Sequence, residues 1–149
     1  MNQYSYLIIG ILLILLIFYN QIRVRQVRQD MKLTLPIIMF ILGVLNFKSY
    51  ISNNSLTTMA LLSIAISFSV LAFGMAAIRA YTVKLWSDNN IIYRKGTWLT
   101  ILLWIISIAL HIILNEIGHI GQSTSLIYFA ITFTVQSFIV QNRVKRMFF

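Results

Sequence analysis

Cysteine is absent from this chain of 149 residues, acidic residues number only three, and proline occurs once. Each shortage closes off a class of chemistry. Without cysteine the chain can form no disulfide, thiolate nucleophile, thiolate metal site or c-type haem attachment. The three acids, Asp30, Asp88 and Glu116, are far apart in sequence, so no helix face carries the paired carboxylates that general acid–base work and di-metal helical sites require. There is also no glycine-rich phosphate loop and no serine in a nucleophile-elbow context. No catalytic constellation remains, and the expectation is a protein that is not an enzyme, with no bound metal and no cofactor.

What the chain has in quantity is apolar residues. Hydrophobic types make up 59% and charged types 10%, with a mean hydropathy of +0.84, whereas a soluble domain carries about a quarter charged residues. The apolar residues gather in five stretches, at about 4–22, 33–51, 56–78, 97–117 and 125–140. They predict one all-α integral membrane domain over 1–149 with five transmembrane helices. The first stretch is followed, not preceded, by its basic cluster Arg23, Arg25 and Arg28. That order is the reverse of a cleaved signal peptide and predicts a retained anchor. Pro36 falls in the first turn of the second stretch, where a missing N–H costs little, so it marks a helix start. In the third stretch Ala72, Ala76 and Ala80 recur every four residues. Small residues at that spacing let a neighbouring helix approach closely in lipid, and they predict the central packing helix. Tyr128, Thr132, Thr134 and Gln136 give the fifth stretch one mildly polar side. Beyond it, the tail from Gln141 to Phe149 is basic with an apolar tip, and predicts a segment lying on the membrane surface.

The net charge of +9 would suggest nucleic acid in a soluble protein. Here its placement argues for lipid instead. Eleven of the twelve Lys and Arg residues fall on alternate connections: Arg23, Arg25, Arg28 and Lys32 after the first stretch, Arg79, Lys84, Arg94 and Lys95 between the third and fourth, and Arg143, Lys145 and Arg146 after the fifth. Only Lys48 lies on the other side. The positive-inside rule turns this pattern into a topology with the N-terminus out and the C-terminus in the cytoplasm. At the cytoplasmic side the cations meet anionic lipid, at about 1 kcal/mol each, and no nucleic-acid partner is expected.

One segment does not read as helix. From Tyr81 to Gly96, two β-favouring runs flank the turn formers Ser87, Asp88, Asn89 and Asn90, which predicts a short cytoplasmic β-hairpin at 81–95. Lys84, Trp86, Tyr93, Arg94 and Lys95 would meet lipid headgroups or serve as a docking platform. Arg79, just before it, reads as an anchor snorkelling to the inner interface.

The ionisable groups of the outer half are His111, Glu116 and His119, with Asn115 between them. His111, Asn115 and His119 are four apart and share one helical stripe, while Glu116 and His119 are three apart. Ionisable groups inside a span are functional candidates for ligand or proton handling. The competing reading is hydrogen bonding that ends the helix. A zinc-protease arrangement, with Glu directly after the first of two His four apart, is absent.

The block from Ile78 to Glu116, with Arg79, Val83, Leu85, Trp86, Tyr93, Arg94, the run Lys95-Gly96-Thr97-Trp98-Leu99-Thr100, Leu103, Trp104, Ser107 and His111, resembles the central part of the CcdC-like family of small bacterial multi-pass membrane proteins. In that family an arginine closes one span, a short hairpin follows, and a Lys-Gly-x-Trp-Leu-Thr run opens the next. Gln141 and Arg143 match its closing Gln-x-Arg. The resemblance implies this architecture and a bacterial plasma membrane, and it implies no activity. The functional expectation is an accessory protein of stress-response or immunity type that packs against itself or a membrane partner. The alternatives are a small oligomeric transporter or channel component, or a haem or redox accessory using His111 and His119.

Overall fold

An apolar segment that lacks water can satisfy its backbone N–H and C=O groups only within itself, and a helix does so. The computed structural model describes residues 3–28 and 30–149. Five helices dominate it: α1 (Gln3–Ile22), α2 (Thr34–Asn53), α3 (Thr58–Thr82), α4 (Trp98–Ile117) and α5 (Ser125–Phe148). Three of them, α2, α3 and α4, are long and apolar enough to cross a membrane, and α1 contributes the shorter apolar run Ile8–Ile22. The helix starts follow local signals. Pro36 lies in the first turn of α2, the Thr57 hydroxyl accepts the Ala60 N–H at 3.1 Å at the head of α3, and the Thr100 hydroxyl accepts the Thr97 N–H at 3.0 Å at the head of α4.

Two helices differ from expectation. α5 does not stop near 140. It continues to Phe148, so the basic tail forms its last turns and not a separate surface segment. α3 changes winding in its middle, where Ser67–Met75 is π-helical between α-helical Thr58–Ile66 and Ala76–Thr82. Residues repeating every four drift around an ordinary helix of 3.6 residues per turn. The wider i→i+5 turn absorbs that drift and keeps Ser67, Leu71, Ala72, Ala76 and Ala80 all buried.

α3 is central, in contact with both α4 and α5, and α2 packs along α5. Ala72, Ala76 and Ala80 are fully buried, and Leu71 and Ala72 form the core cluster with Tyr128. Gly43 is where α2 meets α5: a Cβ there would stand 2.7 Å from Ile127 Cγ1 and 2.8 Å from its backbone nitrogen.

The expected hairpin is present with shifted bounds and one addition. Strands β2 (Lys84–Asp88) and β3 (Ile91–Lys95) pair antiparallel, while Tyr81 and Thr82 stay in α3. Asn89 and Asn90, at φ 49° and 63°, make the two-residue turn in which both central residues are left-handed, a conformation asparagine tolerates. The addition is β1 (Arg25–Gln26), which pairs with the other edge of β3 to give a three-stranded sheet in the order β1-β3-β2. A lone two-stranded hairpin is marginal, and the third strand supplies what it lacks. Gly96 seats the sheet on α1. Its N–H donates to the Gln21 carbonyl at 2.8 Å, and a Cβ at this position would lie 2.3 Å from that oxygen.

These contacts gather the basic segments at one end of the bundle. β1 follows α1, and the hairpin joins α3 to α4. From α5, Gln141 donates to the Arg28 carbonyl at 3.2 Å, and the Arg143 guanidinium donates to the carbonyls of Ala80 and Val83 at 2.6 and 2.9 Å.

Candidate functional site

Polarity in this bundle is turned inward. On α4 the buried residues Thr100, Trp104, Ser107, His111 and Asn115 are spaced three or four apart and form one stripe, while Leu99, Leu102, Ile105, Ile106, Leu110, Ile112 and Ile113 are exposed. α5 turns Tyr128, Thr132 and Gln136 toward it, and α3 adds Ser63, Ser67 and Arg79. The result is a polar seam along the bundle axis, jacketed by aliphatic side chains.

The half of the seam nearer the α4–α5 connection is fully wired. His111 Nδ1 lies 2.6 Å from the Ser67 hydroxyl, and His111 Nε2 lies 3.3 Å from the Asn115 amide nitrogen and 3.4 Å from the Ser125 hydroxyl. The Asn115 amide oxygen accepts from the Thr124 hydroxyl at 3.3 Å. An amide NH2 can only donate, so the pattern assigns Nε2 as acceptor and puts the ring proton on Nδ1, which donates to Ser67. In that tautomer the imidazole N–H donates its hydrogen bond to the Ser67 hydroxyl. The His111 ring stacks on Tyr128, centroids 4.0 Å apart and planes within 10°, and the Tyr128 hydroxyl hydrogen-bonds to that of Ser107.

The other half is not satisfied. Arg79 has 0% relative exposure and lies with its guanidinium carbon 4.1 Å from the Trp104 ring centroid, a cation–π geometry. Among the described residues none of its three guanidinium nitrogens has a hydrogen-bond partner, and the Tyr128 side chain stands nearest to it as a polar neighbour. Trp104 Nε1, Thr132 Oγ1 and Gln136 Oε1 are likewise buried and unpaired. The Gln136 amide nitrogen reaches across to Gln21 Oε1 at 3.3 Å.

The structure therefore divides the expected outer cluster. His111 and Asn115 are buried and bonded together, whereas Glu116 and His119 are exposed and join neither. α4 ends at Ile117, His119 adopts a left-handed φ of 52°, and its carbonyl accepts from the Tyr50 hydroxyl at 2.9 Å. The continuous stripe expected through His119 is broken by that helix end. Among the described residues no group of three His, Asp or Glu is placed to hold a metal ion.

Arg79 is corrected more sharply, since a snorkelling side chain would reach the interface and this one is wholly buried. The physical reason is that α3 runs on to Thr82 and the carbonyls at its end are taken by Arg143. Arg79 therefore sits one turn inside the helix end, three residues after Ala76 on the small-residue face. That spacing was the signal available in the sequence.

On the sheet, Trp86 and Tyr93 are cross-strand partners and stack at 5.8 Å. Lys84 and Lys95 are exposed and Arg94 is half-buried. Comparisons with protein-family models, with curated proteins and with solved structures find no match.

Proposed function

We propose that the chain is a non-enzymatic, multi-pass accessory protein of a bacterial plasma membrane, related to the CcdC-like proteins, that works by packing against a membrane partner or a second copy of itself. In this reading α1 and α5 join α2, α3 and α4 as spans, giving five, with the N-terminus out and the C-terminus in. The observation that carries it is the exposure of α1. From Ile8 to Leu16 every residue except Gly10 is exposed, and every one of the exposed side chains is Ile or Leu. Among the described residues, the long-range hydrogen bonds that tie this helix to the bundle lie near its C-terminal end, at Gln21, which accepts from Gly96 and Gln136. Exposed apolar surface on this scale fits lipid or another membrane helix and does not fit water. Without a hydrophobic force between helices in lipid, such a helix is free to change neighbours.

The test is photocrosslinking from a probe placed at Leu12 or Leu16 in living cells, combined with the mass of the protein purified in mild detergent. A discrete crosslinked product or a mass above the monomer supports the reading. A monomer that crosslinks only to lipid contradicts it. A transporter component is the second reading, favoured by the polar atoms without partners among the described residues inside the bundle, on Arg79, Thr132 Oγ1 and Gln136 Oε1. It predicts flux in proteoliposomes that changes when Gln136 is replaced by Leu.

A further inference from the structure

Where α1 ends, residues 23–28 and 30–32 lie beside one flank of α5 and border an open cavity of about 650 Å³. Its walls carry Arg23, Arg25, Arg28, Lys32 and Arg94, with Asp30 as the one acid among the described lining residues. Two of these cations are set against each other by the sheet. Arg25 and Arg94 are directly opposed in the β1–β3 pairing, and directly opposed residues project from the same face of a sheet. Like charges in that position are destabilising. Arg94 is pushed below the usual guanidinium range, first by burial and then by the Arg25 charge. Basic residues serving only as topology signals would be free to spread into solvent. Here the backbone hydrogen bonds of a three-stranded sheet hold two of them together, beside a recess large enough for a small ligand.

We propose that this cavity binds a phosphate-bearing anion, whose oxygens bridge Arg25 and Arg94. A guanidinium presents a planar fork of N–H donors that matches two phosphate oxygens, and two forks facing one phosphate neutralise their mutual repulsion. Val24, Met31 and Val140 line the same recess, so an esterified phosphate suits it better than the bare ion. The phosphate can come from the headgroup of an anionic phospholipid or from a soluble phosphate compound. The proposal is independent of any membrane partner of α1 and holds whichever face of the membrane the sheet occupies.

The test uses the full chain and follows its thermal unfolding in two arms. In the soluble arm the protein, in a zwitterionic detergent, is titrated with inorganic pyrophosphate against sodium chloride of matched ionic strength. In the lipid arm it is placed in phosphatidylcholine nanodiscs with or without phosphatidylglycerol. Arg25→Gln, Arg94→Gln and the control Arg146→Gln, outside the cavity, are measured alongside. Saturable stabilisation is expected in one arm, and that arm names the source. Arg25→Gln is expected to weaken the response about tenfold, measured against its own baseline without anion, the worth of one charge-assisted contact. Arg146→Gln is expected to respond like the parent. Because Arg25 is exposed, its replacement keeps the test usable even if Arg94→Gln does not fold. No saturable response in either arm overturns the proposal, and so does an equal response from Arg25→Gln and Arg146→Gln.

Discussion

Replacing Arg79 with Met probes the least satisfied group in the protein. Methionine keeps the unbranched stem that packs in the helix interface and removes the charge together with its donors. The loss is the cation–π contact with Trp104 at 4.1 Å, worth about 2 kcal/mol when desolvated. The gain is the removal of three buried guanidinium nitrogens without partners, each costing about 1 to 3 kcal/mol when left unpaired. Even at the lower end of that range the balance favours methionine by about 1 kcal/mol, in line with the general finding that apolar replacement of buried charge is often neutral or stabilising. Thermal unfolding of parent and variant in the same detergent measures it, and Arg79→Met is expected to melt at the same temperature or a few degrees higher. A clear fall in melting temperature would refute the reasoning and would mean that the guanidinium is paired with a bound water or anion. If the variant is stable and abundant yet loses crosslinking or flux, Arg79 is retained for function despite its cost to folding, as ionisable groups inside spans commonly are.

Other consequences follow from the same packing. Ala76→Leu puts a large side chain where there is no exposed surface and is expected to lower the melting temperature, because over-filling a packed core costs about 1 to 3 kcal/mol; unchanged stability would mean that Ala76 faces lipid. His111→Gln keeps a donor and an acceptor for Ser67 and Asn115 and is expected to be tolerated. His111→Leu leaves both partners unpaired, at about 1 to 3 kcal/mol, and is expected to reduce abundance; an abundant but inactive Gln variant would show that the histidine titrates in function. Gly96→Ala would set a Cβ 2.3 Å from the Gln21 carbonyl, so it is expected to detach the sheet from α1 and expose that region to protease; unchanged proteolysis would show that the contact does not hold the sheet in place.

The helices were legible because hydropathy over about twenty residues is a strong signal, and the hairpin because two asparagines sit between β-favouring runs. β1 was not legible. Two residues carry no periodicity, and Arg25–Gln26 becomes a strand only because β3 offers it a free edge. The π segment was equally hidden, since Ser67–Met75 has the composition of any apolar helix and its winding answers to the packing of α3 against α5. The inward stripe of α4 was visible in part. His111 and Asn115 are four apart and do meet, but the helix ends before His119, and helix ends are the least certain feature of a sequence reading. Arg79 was misplaced because a charge near a span end suggests snorkelling, and nothing local announces that Arg143, distant in the chain, occupies the carbonyls there.

The five-span topology is tested most directly by single-cysteine labelling, because the chain contains no cysteine of its own. Asn54→Cys, between α2 and α3, and Gln122→Cys, between α4 and α5, are expected to react with a membrane-impermeant thiol reagent in intact cells. Asn89→Cys at the hairpin turn and Asn142→Cys near the end of α5 are expected to react only after lysis. Labelling at position 89 in intact cells, or none at 54 and 122, would contradict the account.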